Sequence, residues 1–125
     1  MNLKPHGIII ILICCGEALC AAPITSEQLQ FFESKVRPVL ADNCYKCHSN
    51  KADKLKGGLY LDHGATVLSG GDSGPAVVAG NPDKSLLIGA IRYKDPDTQM
   101  PPKKKLGDDH IKVLEDWILM GAPWP

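Results

Sequence analysis

The sequence predicts a mainly α fold: about three principal helices, long connecting loops and at most a very short strand pair. Three observations carry that expectation. Apolar residues recur at three- and four-residue steps in three separate stretches, each opened by a helix-start signal. No stretch alternates apolar and polar residues for long enough to build a sheet. The 125 residues include 12 Gly and 10 Pro, with aromatics at only 6%, so loops are long and the core is thin. The length suits one small domain, which is marginal without a disulfide, a metal or a large apolar cofactor. With 14 basic residues against 14 acidic, no global charge points to nucleic acid.

Residues 1–21 read as a secretory signal peptide. "MNLKPHG" carries one Lys, "IIIILICC" is an apolar run, and "GEALCAAP" supplies small residues for cleavage after Cys20, Ala21 or Ala22. The run is shorter than the ~20 residues a membrane span needs, although retention as an N-terminal anchor is the competing reading. A lipoprotein fits less well, because Ile13 and Leu19 precede Cys14 and Cys20 where a small residue is wanted. Cleavage makes the chain periplasmic or otherwise exported, leaves residues 22–125 as one domain, and expects no stable membrane span.

Helix one opens at Thr25, where "TSEQ" is a capping box and Ile24 with Leu29 suits a hydrophobic staple. Leu29, Phe32, Val36 and Leu40 share one face. Pro38 lacks an amide proton, so the helix is expected to end or kink near Arg37. Residues 49–80 read as loop, with "LYLD" as a very short strand and "GATVL" as one helical turn. Helix two starts at the Asn81 cap, with Pro82 in the first position and Asp83 at the positive end; Leu87 and Ile91 form its buried side. A polar loop, "YKDPDTQMPPKKKLG", follows. Helix three runs from Gly107 or Asp108 to about Met120, with Ile111, Leu114 and Ile118 as its stripe, Trp117 beside them, and Gly121 and Pro123 ending it.

The stretch between helix one and the long loop reads "CYKCH", residues 44–48. A zinc site needs four ligands, and no second CxxC or HxxxH completes Cys44, Cys47 and His48. A redox dithiol normally sits between a strand and a helix, and here the pair follows a helix. A plain disulfide at this spacing closes a tiny loop and stabilises little. Haem attachment fits every surrounding feature. Two thiols three positions apart can form thioethers to one edge of a porphyrin, and His48 is then directed to the iron as proximal ligand. That chemistry belongs outside the cytoplasm, in agreement with residues 1–21.

A thioether suits the opposite face of the iron. After Met1, the choices are Met100 and Met120. Met120 ends helix three and is expected to pack there. Met100 precedes Pro101 and Pro102, whose fixed φ angles hold a loop in place, so Met100 is the expected distal ligand. His63 and His110 are rivals, read as surface histidines. Lys103, Lys104 and Lys105 follow Met100, and Lys46, Lys51, Lys54 and Lys56 surround the attachment motif. This rim would attract an acidic redox partner, though Asp95 and Asp97 dilute it.

"VRPVLADNCYKCH", "KGGLYLD", "GGDSGPAVVAGNPDKSLL", "QMPPKKKL" and "LEDWILMGAPWP" together resemble the Planctomycete-type cytochrome c domain, over about residues 29–125. The resemblance implies a cytochrome c-like fold around one covalently bound haem c. It matches Cys44 and Cys47 to the thioether positions, His48 to the proximal ligand and Met100 to the distal one. In that family the module usually heads a longer exported protein, so further C-terminal domains are a normal accompaniment. Gly107 departs from the hydroxyl cap more usual at helix three. The resulting expectation is a mono-haem electron carrier whose haem edge is buried by Phe32, Val36, Leu114, Trp117 and Ile118. No cluster of acid–base groups points to catalysis. The alternative is a haem enzyme, or a gas or peroxide sensor, with an open or labile distal position.

Overall fold

The structure, a computed structural model, describes residues 22–125; the expected signal peptide lies outside the described residues. The chain is mainly helical, with α1 at Ser26–Phe31, α2 at Arg37–Asn43, α3 at Gly64–Ser69, α4 at Leu86–Ile91 and α5 at Asp108–Leu119. The capping box forms as read: the Gln28 amide donates to Thr25 Oγ1 at 3.2 Å, and the Thr25 amide donates to Gln28 Oε1 at 3.0 Å.

Helix one does not end at Arg37, but its regular hydrogen bonding is interrupted just before it. A π-helical segment, Phe32–Val36, joins α1 to α2, and the Arg37 amide donates five residues back to the Phe32 carbonyl. Pro38 then falls in the first turn of α2, where a missing amide proton costs little. The wider turn also rotates Leu29 off the expected face. Leu29 is 41% exposed, whereas Phe32, Val36 and Leu40 are at most 1% exposed.

"GATVL" forms α3, as expected. "LYLD" forms no strand, and Gly71 paired with Gly74 is an isolated β-bridge. The Leu59 carbonyl and the Leu61 amide both meet the single residue His48, which offers no ladder to extend. The loop region is stitched by the Asp72 amide donating to the Gly57 carbonyl at 2.9 Å. At Gly71 a Cβ would stand 2.3 Å from that same carbonyl oxygen, so only glycine allows the two backbones to meet.

Helix two is divided. Asn81 caps a 3-10 turn at Pro82–Lys84, accepting from the Lys84 amide at 3.2 Å, and α4 starts only at Leu86. Between them the buried Ser85 hydroxyl accepts from the Val78 amide at 2.9 Å and donates to the Asn81 carbonyl at 2.9 Å. Helix three matches its reading: Gly107 stands at the cap without a side-chain bond, and Ile111, Leu114, Trp117 and Ile118 are buried.

α5 packs against the π-helical segment and against α4. Arg92, at the end of α4, ties three elements together. It donates to Asp83 at 2.8 Å and to Glu115 of α5 at 2.7 Å. The five residues expected to bury a haem edge are at most 1% exposed. They join α5 to the π-helical segment.

Candidate functional site

The motif sits where α2 stops. Cys44 is the C-terminal cap, and one further turn follows: the Cys47 and His48 amides donate to the Cys44 carbonyl at 3.1 and 2.9 Å. This turn carries both thiols, three positions apart, and the imidazole next to the second on one short loop. Cys44 and Cys47 are half-buried and free.

A strap from the long loop holds the motif. The Lys56 amide donates to the Cys47 carbonyl at 3.1 Å, and the Leu61 amide donates to the His48 carbonyl at 2.8 Å. His48 Nδ1 lies 3.3 Å from the Leu59 carbonyl. A carbonyl only accepts, so Nδ1 carries the proton and Nε2 keeps its lone pair for a metal. Sequence reasoning missed this partner, because a backbone carbonyl carries no residue signal.

Two buried polar atoms beside this strap lack a partner among the described residues, Tyr45 Oη and Asp62 Oδ1. Tyr45 belongs to the motif and Asp62 to the strap, whose other oxygen accepts from the Asn50 amide at 2.9 Å. Burial raises the Tyr45 hydroxyl pKa, and Arg37 partly opposes the rise. The Arg37 guanidinium lies close enough to act on the Tyr45 hydroxyl, so Asp62 Oδ1 is the clearer orphan beside the candidate cofactor ligands. With the thiol pair and the oriented imidazole, the donor set fits covalently bound haem.

Burial pushes the Cys44 thiol up to about 12. At pH 8 only about one part in ten thousand of such a thiol is ionised, so haem-free protein should alkylate at Cys44 far more slowly than an ordinary exposed cysteine. Peptide mapping after iodoacetamide treatment checks this; rapid Cys44 labelling without unfolding would contradict its placement. The unfolded state gives up this proton more readily, so the haem-free fold should lose stability as pH rises from the ordinary thiol range toward 12.

Met100 is 38% exposed and is carried by a loop fastened to α4: its amide donates to the Ala90 carbonyl at 3.2 Å. A cleft of about 410 Å³ separates the end of α2 from this loop. Asp42 and Asn43 line one side, and Pro101, Lys103, Lys104, Lys105 and His110 line the other. Its walls are therefore next in sequence to Cys44 and Met100, although neither of these two residues lines it.

Both rivals for the distal position are located. His63 is tied at both ring nitrogens, to the Asp62 carbonyl at 2.5 Å and to the Asn50 side-chain amide at 2.9 Å. His110 is exposed in the first turn of α5. Met120 lines a different cleft, with Ile24, Val67, Leu68, Trp117 and Trp124. No group of three or more His, Cys, Asp or Glu side chains is gathered for a metal among the described residues. Lys46, Lys51, Lys54 and Lys56 are exposed, as are Lys103, Lys104 and Lys105. No helix among the described residues is long and apolar enough to cross a membrane.

Residues 44–104 match a family model described as Planctomycete cytochrome C. The match begins at the first thiol of the motif and takes in the Met100 loop; α1, α2 and α5 lie outside it. No curated protein and no solved structure shows detectable similarity to the chain. A cytochrome c domain binds haem and takes part in electron transfer, and haem c is the group that such a domain implies.

Proposed function

Because residues 44–104 belong to the Planctomycete cytochrome C family, we propose that the chain is an exported, mono-haem electron carrier. The observation that carries this reading is the orientation of His48. Its Nδ1 is held by the Leu59 carbonyl, and two free thiols share its turn. Cys44 and Cys47 hold the haem by thioethers, His48 Nε2 is the proximal ligand, and Met100 is the distal one. The iron supplies a one-electron Fe(III)/Fe(II) couple. The protein's part is to fix the imidazole, restrict water and present an edge for exchange. The exposed lysines beside the motif and the Met100 loop form that edge's rim and favour an acidic partner protein, with affinity falling as salt rises.

The test is expression with haem-attachment machinery in an exporting host. A mass gain of one haem and a six-coordinate low-spin spectrum are expected in the exported fraction. A colourless protein with both thiols free would refute the reading. Met100→Ala should keep the haem and lose the weak thioether-to-iron band completely. A band that survives would move the distal assignment elsewhere. A high-spin wild-type iron that binds carbon monoxide rapidly would instead support an enzyme or sensor.

A further inference from the structure

We propose that Tyr93 is a positioning residue that holds the Met100 loop closed; this role rests on the haem reading above. Two independent features single it out. First, the Tyr93 hydroxyl donates to the Pro101 carbonyl, one residue beyond Met100. Second, Tyr93 has φ +60°, in the left-handed region. That backbone suits glycine or asparagine and disfavours a bulky aromatic residue, so the side chain must be held by what it contacts.

The attachment is built on a fixed base. Tyr93 follows Arg92, whose guanidinium is clamped by Asp83 and Glu115. The Tyr93 amide donates to the Ala90 carbonyl at 3.1 Å, and the Met100 amide donates to the same carbonyl at 3.2 Å. Between these points the chain makes a turn at Asp95–Thr98, with the Asp97 amide donating to Asp95 Oδ1 at 2.9 Å and the Thr98 amide to the Asp95 carbonyl at 3.1 Å. The loop therefore leaves α4 and returns to it. Ala90 secures Met100 from its amide side and Tyr93 secures it from the Pro101 side. A thioether is a weak ligand, and a carrier that fixes its loop beforehand loses less entropy when sulfur binds iron.

Tyr93→Phe in the haem-loaded protein tests the bond. Tyr93→Asn adds a control, because it suits the left-handed backbone and also lacks the hydroxyl. Both variants should keep covalent haem and the wild-type helical circular dichroism. In both, exogenous imidazole should displace the thioether about five- to tenfold more readily, and the Met100 amide should exchange with solvent faster by a similar factor, as expected for one lost hydrogen bond. Exchange in α5 should be unchanged. If the wild type shows the thioether band and neither variant alters imidazole binding or Met100 exchange, the role of Tyr93 is refuted while the carrier reading stands. If the wild type carries haem but shows no thioether band, the distal assignment and this role fail together.

Discussion

A Cys44→Ala/Cys47→Ala variant, expressed beside haem-attachment machinery, is expected to gain no haem mass and to remain colourless after acid extraction. The two thiols are the only ones among the described residues, so no other position there can form a thioether. Either single variant keeps one attachment point and should yield covalent haem in reduced amount. The protein should nevertheless remain folded. Each thiol is only partly buried, and removing one sulfur costs on the order of 1 kcal/mol. The attachment turn is also held by backbone bonds from Lys56 and Leu61, which the substitutions leave intact. Intact-protein mass and circular dichroism separate the two effects. A double variant that still gained one haem by mass would place the attachment outside the motif and overturn the proposal.

The parts of this molecule that were legible in sequence are those written in side chains. Thr25 and Gln28 announce a capping box and form it. The stripe of Ile111, Leu114 and Ile118 announces α5, and those residues are buried. The attachment motif is equally explicit. Its support was not, because that support is backbone: the Leu59 carbonyl at His48 could belong to any residue type.

Helix one and helix two show how competing bonds alter a regular pattern. Pro38 signals an end or a kink near Arg37; the helix continues, and the π-helical segment before it moves the proline into a first turn, where its missing proton is harmless. Asn81 and Pro82 signal one helix start, yet the Ser85 hydroxyl is drawn to Val78 and the helix begins again one step later. Tyr93 gave no sequence signal because a left-handed position is normally marked by glycine or asparagine.

Trp117→Ala is expected to be the most damaging single substitution in the core. Trp117 is 1% exposed, and its Nε1 donates to the Pro123 carbonyl at 2.9 Å, folding the chain end back over α5. Its ring centroid lies 6.1 Å from those of Phe32 and Trp124, and the latter two are 4.6 Å apart in an edge-to-face arrangement. Arg37 lies over Phe32, 4.8 Å from its centroid. The tryptophan thus joins the π-helical segment, α5 and the C-terminal tail, three pieces distant in sequence. Truncating a buried aromatic residue costs about 3–5 kcal/mol, a large share of the roughly 5–15 kcal/mol that stabilises such a domain. Melting should therefore fall by roughly 15 °C or more. Trp117→Phe keeps most of the apolar contact and should cost less than half as much. Leu119→Ala, at a position 61% exposed, should change stability by only about 0.5 kcal/mol. Thermal unfolding of the three haem-loaded variants checks the order. Equal melting points for Trp117→Ala and Leu119→Ala would mean that the first and last helices do not meet through this aromatic cluster, because a side chain that removes so much apolar surface from water cannot be deleted without cost.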